Sequence, residues 1–545
     1  MAKIDGGTMV ARALASEGVR CLFTLSGGHI DLIYNACAKL GIGLVDTRHE
    51  QSAVHAAEGW ARATGQPGVA LVTAGPGVTN AVTAIVNAWV SASPLVVLAG
   101  RSPLRDFEVG GLQDIDHVCL VQAYTKWART CLEARRIPEY VSIAFRHACT
   151  GRPGPVFLDI PADVLYEEAD ETELVFPERY RTTARLSGDS RLVSEAVAML
   201  ARAERPVVHA GSGVWWSGAA EELRELVSVM QVPVVTSNRA QGAVPDDDPL
   251  CSSGLGMRLV SDADAVLAMA ARHLSSERLA AKVAQVDIDA REIGHNQPVD
   301  IGIVGDAKAV LRQLVDEAKR TGAKANSAWA REFSARKRKA DEALEPLWHS
   351  DAAPIHPLRL ARELRDFLAP DAFWVVDGGD TSIYAAQTFR TSFAGHNLSG
   401  GPLGCLGVGM GFAMAAKLAH PDKQVLLFSG DGSFGFAGIE FHTAVRHCLP
   451  VVCVINNDCA WGMIKHGQEI KYGSEAVLCS DLGLVRYDQM VEALGGHGEF
   501  VERPEDIRPA LEQAFASGEP ACVNVATDPN AVSLGSVWLA QMLHP

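Results

Sequence analysis

The chain reads as an α/β protein made of three doubly wound parallel-sheet domains. Three observations predict this. Short apolar runs, each able to bury as a strand, alternate with helix-period segments through most of the 545 residues. Several of these runs end in glycine turns that open a helix, as at 73–77 and 430–432. The length corresponds to roughly three to four domains of ordinary size. Strand–helix alternation of this kind implies parallel strands joined by right-handed crossovers.

The first domain is assigned to residues 1–166. Helical patterns at 8–17, 51–64 and 78–89 alternate with strand runs at 21–25, 69–73 and 95–99. A last strand at 156–160 stops at Pro161. A polar segment, 167–189, leads to a central domain at 190–321. That domain opens with a helix at 192–203 and a strand at 206–210, then runs through strands at 266–269 and 283–287. A charged helical stretch follows at 330–344, and its Arg331, Arg336, Lys337, Arg338 and Lys339 read as a solvated connector. The third domain, 356–545, carries a strand at 373–376, a glycine-rich run at 400–411 and a βαβ unit. The unit comprises a strand at 425–429, a helix at 438–447, a break at Pro450 and a strand at 451–455.

Composition narrows the function. Hydrophobic residues make up 48% and charged residues 21%, as in a globular protein able to bury several cores. A net charge of −16 argues against nucleic acid and anionic membranes as partners, although a local basic pocket could still take an anionic substrate. The twelve cysteines contain no C-x-x-C pair, so neither a zinc site nor a disulfide framework is indicated. Reduced thiols, a mixed segment 1–10 without a secretory pattern, and no apolar stretch of spanning length lead to the expectation of a cytoplasmic protein.

The most specific signal is Gly430-Asp431-Gly432-Ser433, followed by Asn456-Asn457-Asp458. In a right-handed βαβ unit, adjacent parallel strands end on the same side. Asp431 and Asp458 therefore leave neighbouring strand ends and can face one ion. Flanking glycines let the backbone approach a diphosphate, and the following helix offers it free N–H groups. Hard oxygen ligands beside a diphosphate suit Mg²⁺.

This pattern resembles the metal–diphosphate motif of thiamine-diphosphate enzymes. The family's second ligand lies 27 residues after the first, which is Asp458 here in place of the usual Asn. The resemblance implies a third ligand in the Ala460 carbonyl and diphosphate contacts from Gly462 and Met463. It places the family's essential glutamate at Glu50, within HEQSAVHAAEGWAR at the start of a helix. There a buried carboxyl would hydrogen-bond the cofactor's aminopyrimidine and stabilise the imino form that activates the reactive carbon. Glu58, in the same helix, reads as an ordinary helix residue. Gly75, Pro76 and Asn80 fall on the pyrimidine-contacting turn. Gly404 and Leu406 fall on the loop that bends the cofactor, with Leu where Met is common. Asp380 and Thr381 fall where diphosphate contacts are usual.

The likeness extends along the whole chain. LSGGHID, DTRHE and ALVTAGPGVTNAVT are similar to benzaldehyde lyase and bacterial 2-hydroxyacyl-CoA lyases, which implies active-site roles for His29 and for Gln113 in GGLQDIDH. GFAGIEFHT is closer to the oxalyl-CoA decarboxylase and 2-hydroxyacyl-CoA lyase pattern, and Ser382 and Pro402 depart from an arene pocket. The middle domain resembles those carrying FAD or an adenine nucleotide or CoA. Residues 270–274 keep only a trace of the FAD pattern, so FAD is not expected. The implied activity is cleavage of 2-hydroxyacyl-CoA to formyl-CoA and an aldehyde or ketone, and the reverse. Arg258 or Arg272 are candidates for the CoA phosphates. A benzoin-type lyase without CoA, a 2-oxo acid or oxalyl-CoA decarboxylase, and an acetolactate synthase-like enzyme are the alternatives. The resemblance also implies a homo-oligomer, at least a dimer with a tetramer expected. The tail at 529–545 is apolar enough to cover a substrate or to pack on its domain.

Overall fold

The computed structural model describes residues 3–253, 256–274 and 278–542. Three six-stranded sheets form its frame, and every strand pair within them is parallel. The first runs in the order Gly43–Asp46, Cys21–Thr24, Gly68–Val72, Leu95–Arg101, Pro155–Pro161 and Ala128–Thr130. The second runs Cys251–Ser252, Val234–Thr236, Pro206–Ala210, Ala265–Met269, Lys282–Asp287 and Ile301–Val304. The third runs Asn397–Ser399, Phe373–Asp377, Val425–Gly430, Val452–Asn457, Ala521–Ala526 and His497–Val501.

The strands are apolar end to end because both faces are covered. Val69 and Leu71 enter one core while Ala70 and Val72 enter another. In the third sheet, Val425 and Leu427 face one core and Leu426 and Phe428 the other. This is the period-two alternation of a strand, here feeding two apolar layers.

Each sheet has an inner point at which its strand order reverses, and in the first and third sheets the last two strands also swap order. The crevices lie between Cys21–Thr24 and Gly68–Val72, between Pro206–Ala210 and Ala265–Met269, and between Phe373–Asp377 and Val425–Gly430. Outside the carboxyl ends of such strand pairs is where open α/β sheets bind ligands.

The first and third domains meet along two helices, Glu50–Thr64 and Gly409–Ala419. Glycine permits the approach, since a Cβ on Gly59 would lie 2.7 Å from the Phe412 Cα. Glu58 is not an ordinary helix residue. It is fully buried and accepts hydrogen bonds from Arg62 Nε (2.9 Å), Asn87 Nδ2 (2.8 Å) and Ser93 Oγ (2.9 Å). Arg62 in turn donates to the Ser399 carbonyl, and buried Arg239 of the central domain donates to the carbonyls of Arg62, Gly395 and Asn397. Three domains are thus tied by two buried guanidinium groups.

Three local expectations are corrected. The helix after Gly430 starts at once, as Asp431–Ala437, and continues through a 3-10 turn into Phe441–Arg446. The segment between the first two domains is not only a linker, because Glu168–Asp170 pairs antiparallel with Lys3–Asp5. The connector helix spans Ser327–Trp348, longer than its charged centre indicates.

Candidate active site

In the third domain the assigned residues come together at the sheet's carboxyl edge. The strands ending at Gly430 and Asn457 are neighbours, with Gly430 opposite Asn456. The Ala460 N–H donates to Asp431 Oδ2 at 3.1 Å and to Asp458 Oδ1 at 3.3 Å, so both carboxylates converge on one point. Both are buried, at 3% and 8% exposure. Burial raises the pKa of each; charge repulsion from Asp458 pushes Asp431 up further, and repulsion from Asp380 does the same for Asp458. A buried acidic pair without a cation is the donor chemistry that a divalent ion satisfies.

The remaining assigned residues pack around this pair. A Cβ on Gly462 would stand 2.2 Å from Asp458 Oδ2, so only glycine leaves that carboxylate its place. Packing also requires glycine at 432, because a Cβ there would meet the Trp461 ring at 2.5 Å. The Gly432 N–H is taken by Asp431 Oδ1 at 2.8 Å. Thr381 Oγ1 accepts from Asn456 Nδ2 at 3.5 Å, and Asn456 Oδ1 is buried without a hydrogen-bond partner among the described residues. Ser433 is buried close behind Gly430. Met463 wedges against Gly379 and Gly535.

The Asp380 side chain has partners within the chain. Its Oδ1 accepts from the hydroxyls of Ser533 and Ser536, and its Oδ2 faces His466 Nδ1 at 3.3 Å. His466 Nε2 reaches the Pro529 carbonyl at 3.0 Å. The side chain therefore ties down the tail helix Leu534–Met542, while Asp380 also opens the helix Asp380–Thr388. Gly404 has φ +68 and open space beside it, and Leu406 follows in the same loop. Asp377 anchors the end of that loop by accepting from Gly407 N (3.3 Å) and Gly409 N (2.8 Å).

In the first domain a second group assembles. Glu50 starts its helix, is 5% exposed and accepts from Asn80 Nδ2 at 2.9 Å. Gly75 has φ +60 and precedes Pro76, the first residue of the next helix. Gln113 lies across Gly75, and its Oε1 is buried without a hydrogen-bond partner among the described residues. His29 Nδ1 stands 3.4 Å from Thr73 Oγ1. Burial, then the nearby His117, lowers the His29 pKa and favours the neutral ring.

Among the described residues, no hydrogen bond or ion pair joins this group to the carboxylates of the third domain. The sequence reading missed His117, Asp159, Glu440, His466 and the two tail serines. Glu440 is buried and accepts the Arg48 N–H at 3.0 and 3.1 Å, bridging the first and third domains. Their roles leave little local pattern, because the partners that define them, such as Gly75 for His117, Arg48 for Glu440 and Asp380 for the serines, lie far away in sequence.

The central crevice opens into a cavity of about 980 Å³. Arg152, Arg181, Arg185, Arg272 and His273 contribute to its wall, as do Gly211 and Gly213. Arg272 also donates to the Val90 carbonyl at 2.8 Å. Arg258 has its side chain outside the described residues. No described helix is long and apolar enough to cross a membrane.

Fold and site together define a three-domain α/β protein with polar groups gathered at the switch point of each sheet. Comparison with known proteins agrees. Family models for the thiamine pyrophosphate enzyme N-terminal TPP binding domain, central domain and C-terminal TPP binding domain match residues 4–120, 193–314 and 377–525. An acetolactate synthase large subunit of Mycobacterium tuberculosis is 40% identical over 97% of this chain and 96% of its own. A probable acetolactate synthase large subunit of Methanococcus aeolicus is 32% identical over 97% and 93%. A 2-hydroxyacyl-CoA lyase of Arabidopsis thaliana is 32% identical over 97% and 96%. The chain belongs to the thiamine-diphosphate-dependent enzymes.

Proposed function

We propose that this enzyme makes and breaks the carbon–carbon bond of 2-hydroxyacyl-CoA thioesters, releasing formyl-CoA and an aldehyde or ketone. The observation that carries the reading is the pair of half-sites: Glu50 with Asn80 in one domain, and two converging carboxylates in another. Bound thiamine diphosphate supplies a nucleophilic carbon that stabilises negative charge next to a carbonyl.

The residues fit that group. Asp431, Asp458 and the Ala460 carbonyl would hold Mg²⁺ against the diphosphate. The unpartnered Asn456 Oδ1 supplies a further acceptor there. Thr381, Gly430, Ser433, Gly462 and Met463 would line the diphosphate. Gly404 and Leu406 would support the bend, and Gly75, Pro76 and Asn80 the pyrimidine. Glu50 would hold a proton between its carboxylate and the pyrimidine ring. Neutral His29 can accept the proton of a substrate 2-hydroxyl. Gln113 Oε1, buried and without a partner among the described residues, is the alternative acceptor for that hydroxyl proton.

The half-sites would complete each other between two copies of the chain. Val109 and Leu112, 74% and 80% exposed, flank the first, and Phe436, 60% exposed, flanks the second. Such apolar groups are what a second copy covers. The central cavity's wall mixes arginines with Asp287, Glu292 and Asp306; Arg152 and Arg272 in it suit the phosphates of an adenine nucleotide, as in CoA.

A second reading, condensation of two 2-oxo acids to an acetolactate with loss of carbon dioxide, is favoured by the 40% identity to an acetolactate synthase subunit. The test supplies cofactor and magnesium and offers a 2-hydroxyacyl-CoA or pyruvate. Formyl-CoA with an aldehyde supports the first reading. Acetolactate from pyruvate, with flavin absorbance in the purified protein, replaces it with the second.

A further inference from the structure

We propose that His117 is a positioning residue: its imidazole holds the Gly75 turn, and through that turn the Gln113 side chain, in the arrangement the first half-site needs. The proposal rests on the functional reading above.

Gly75 lies just ahead of the helix Pro76–Ser91, where backbone N–H groups lack intrahelical partners. Gly75 has no side chain with which to cap the helix. The partner for its N–H comes from 42 residues further on: His117 Nε2, at 2.9 Å. Because the amide donates, Nε2 carries no proton, and the ring proton belongs to Nδ1. Nδ1 faces Asp159 Oδ2 at 3.1 Å, and Arg101 Nη1 stands 3.5 Å from the same oxygen. His117 and Asp159 are both fully buried. The ring is thus fixed at both ends, and its tautomer is set by the carboxylate behind it.

What the ring holds is a turn that requires glycine. Gly75 has φ +60 and ψ −112, a conformation that favours glycine. The space a Cβ would fill there is taken by Gln113, whose Cβ and Cγ lie 2.8 and 2.9 Å from that point. Gln113 therefore rests on Gly75, and its unpartnered Oε1 is aimed by that contact. Moving the turn moves the pyrimidine contact and the substrate acceptor together. His117 acts through Gly75 and needs no contact with the reacting atoms.

The test compares His117→Asn with His117→Gln in the full chain. Asparagine reaches Asp159 but falls short of Gly75. Glutamine can place its Oε1 where Nε2 stands. With one buried hydrogen bond lost, His117→Asn is expected to raise the half-saturating thiamine diphosphate concentration about tenfold. His117→Gln is expected to bring it back to within about threefold of the unsubstituted chain. Equal shifts in the two variants, following their thermal midpoints, would reduce His117 to a packing role and overturn the proposal.

Hydrogen exchange over residues 69–80 of the cofactor-free chain gives a separate reading. The Gly75 amide should be protected in the unsubstituted chain, whether or not the variants fold. Exchange as fast as in an open turn overturns the proposal. A chain that takes up no thiamine diphosphate overturns the functional reading instead, and the exchange result still decides whether His117 holds the turn.

Discussion

Gly462→Ala separates the site from the fold. The added Cβ would stand 2.2 Å from Asp458 Oδ2 and 3.2 Å from Asp380 Oδ2. Restoring an ordinary contact moves the Asp458 oxygen by about 1 Å. The carboxylate is the free end of a side chain, so the fold can yield. Gly462 begins the helix Gly462–Tyr472, where alanine is the better helix former, so stability should hold or rise slightly. Function should not hold. Magnesium accepts little departure from octahedral geometry at about 2.1 Å, and a misplacement of about 1 Å costs on the order of 100-fold. Calorimetric titration with thiamine diphosphate and magnesium measures the affinity, and thermal unfolding measures the stability. Wild-type affinity in the alanine variant would refute the placement of Asp458 at the metal.

Glu50→Gln should leave cofactor binding within a few-fold and lower turnover by about 100-fold or more, read by steady-state kinetics at saturating cofactor. Glu58→Gln leaves Arg62 buried without its anion and should cost about 3–5 kcal/mol, seen as a lower urea midpoint. Arg62, His55 and Asn87 hold the Glu58 pKa down to about 2 against its burial, from an ordinary value of 4.5. Its stabilisation is therefore complete above about pH 4.5 and disappears as pH falls towards 2. Glu58→Gln should flatten the fall in stability across that window. Replacing Ser533 and Ser536 together by alanine removes the donors to Asp380 Oδ1 and the Ser533 cap on the tail helix. A loss of about 1 kcal/mol or more should appear as faster hydrogen exchange at 528–542.

The strands were legible because burial on both faces writes itself as an unbroken apolar run, as at Val425–Gly430. The helix start at Asp431 was not, since Gly432 and Gly435 suggest a loop and only the packing of Trp461 on Gly432 explains one of them. Asp431 and Asp458 could be found because a fixed spacing places them on adjacent strand ends. Glu58 was passed over because its Arg62 partner at i+4 is common on exposed helices, and burial beneath another domain leaves no local sign. His117, His466 and Ser536 were hidden for a similar reason: what each one does depends on a residue brought to it by the fold.

The most direct test of the central claim is a structure determined with thiamine diphosphate and magnesium. The ion is expected about 2.1 Å from oxygens of Asp431, Asp458 and the Ala460 carbonyl, with the pyrimidine against Glu50 of a second copy of the chain. An ion held elsewhere, or a pyrimidine that does not meet Glu50, would contradict that claim.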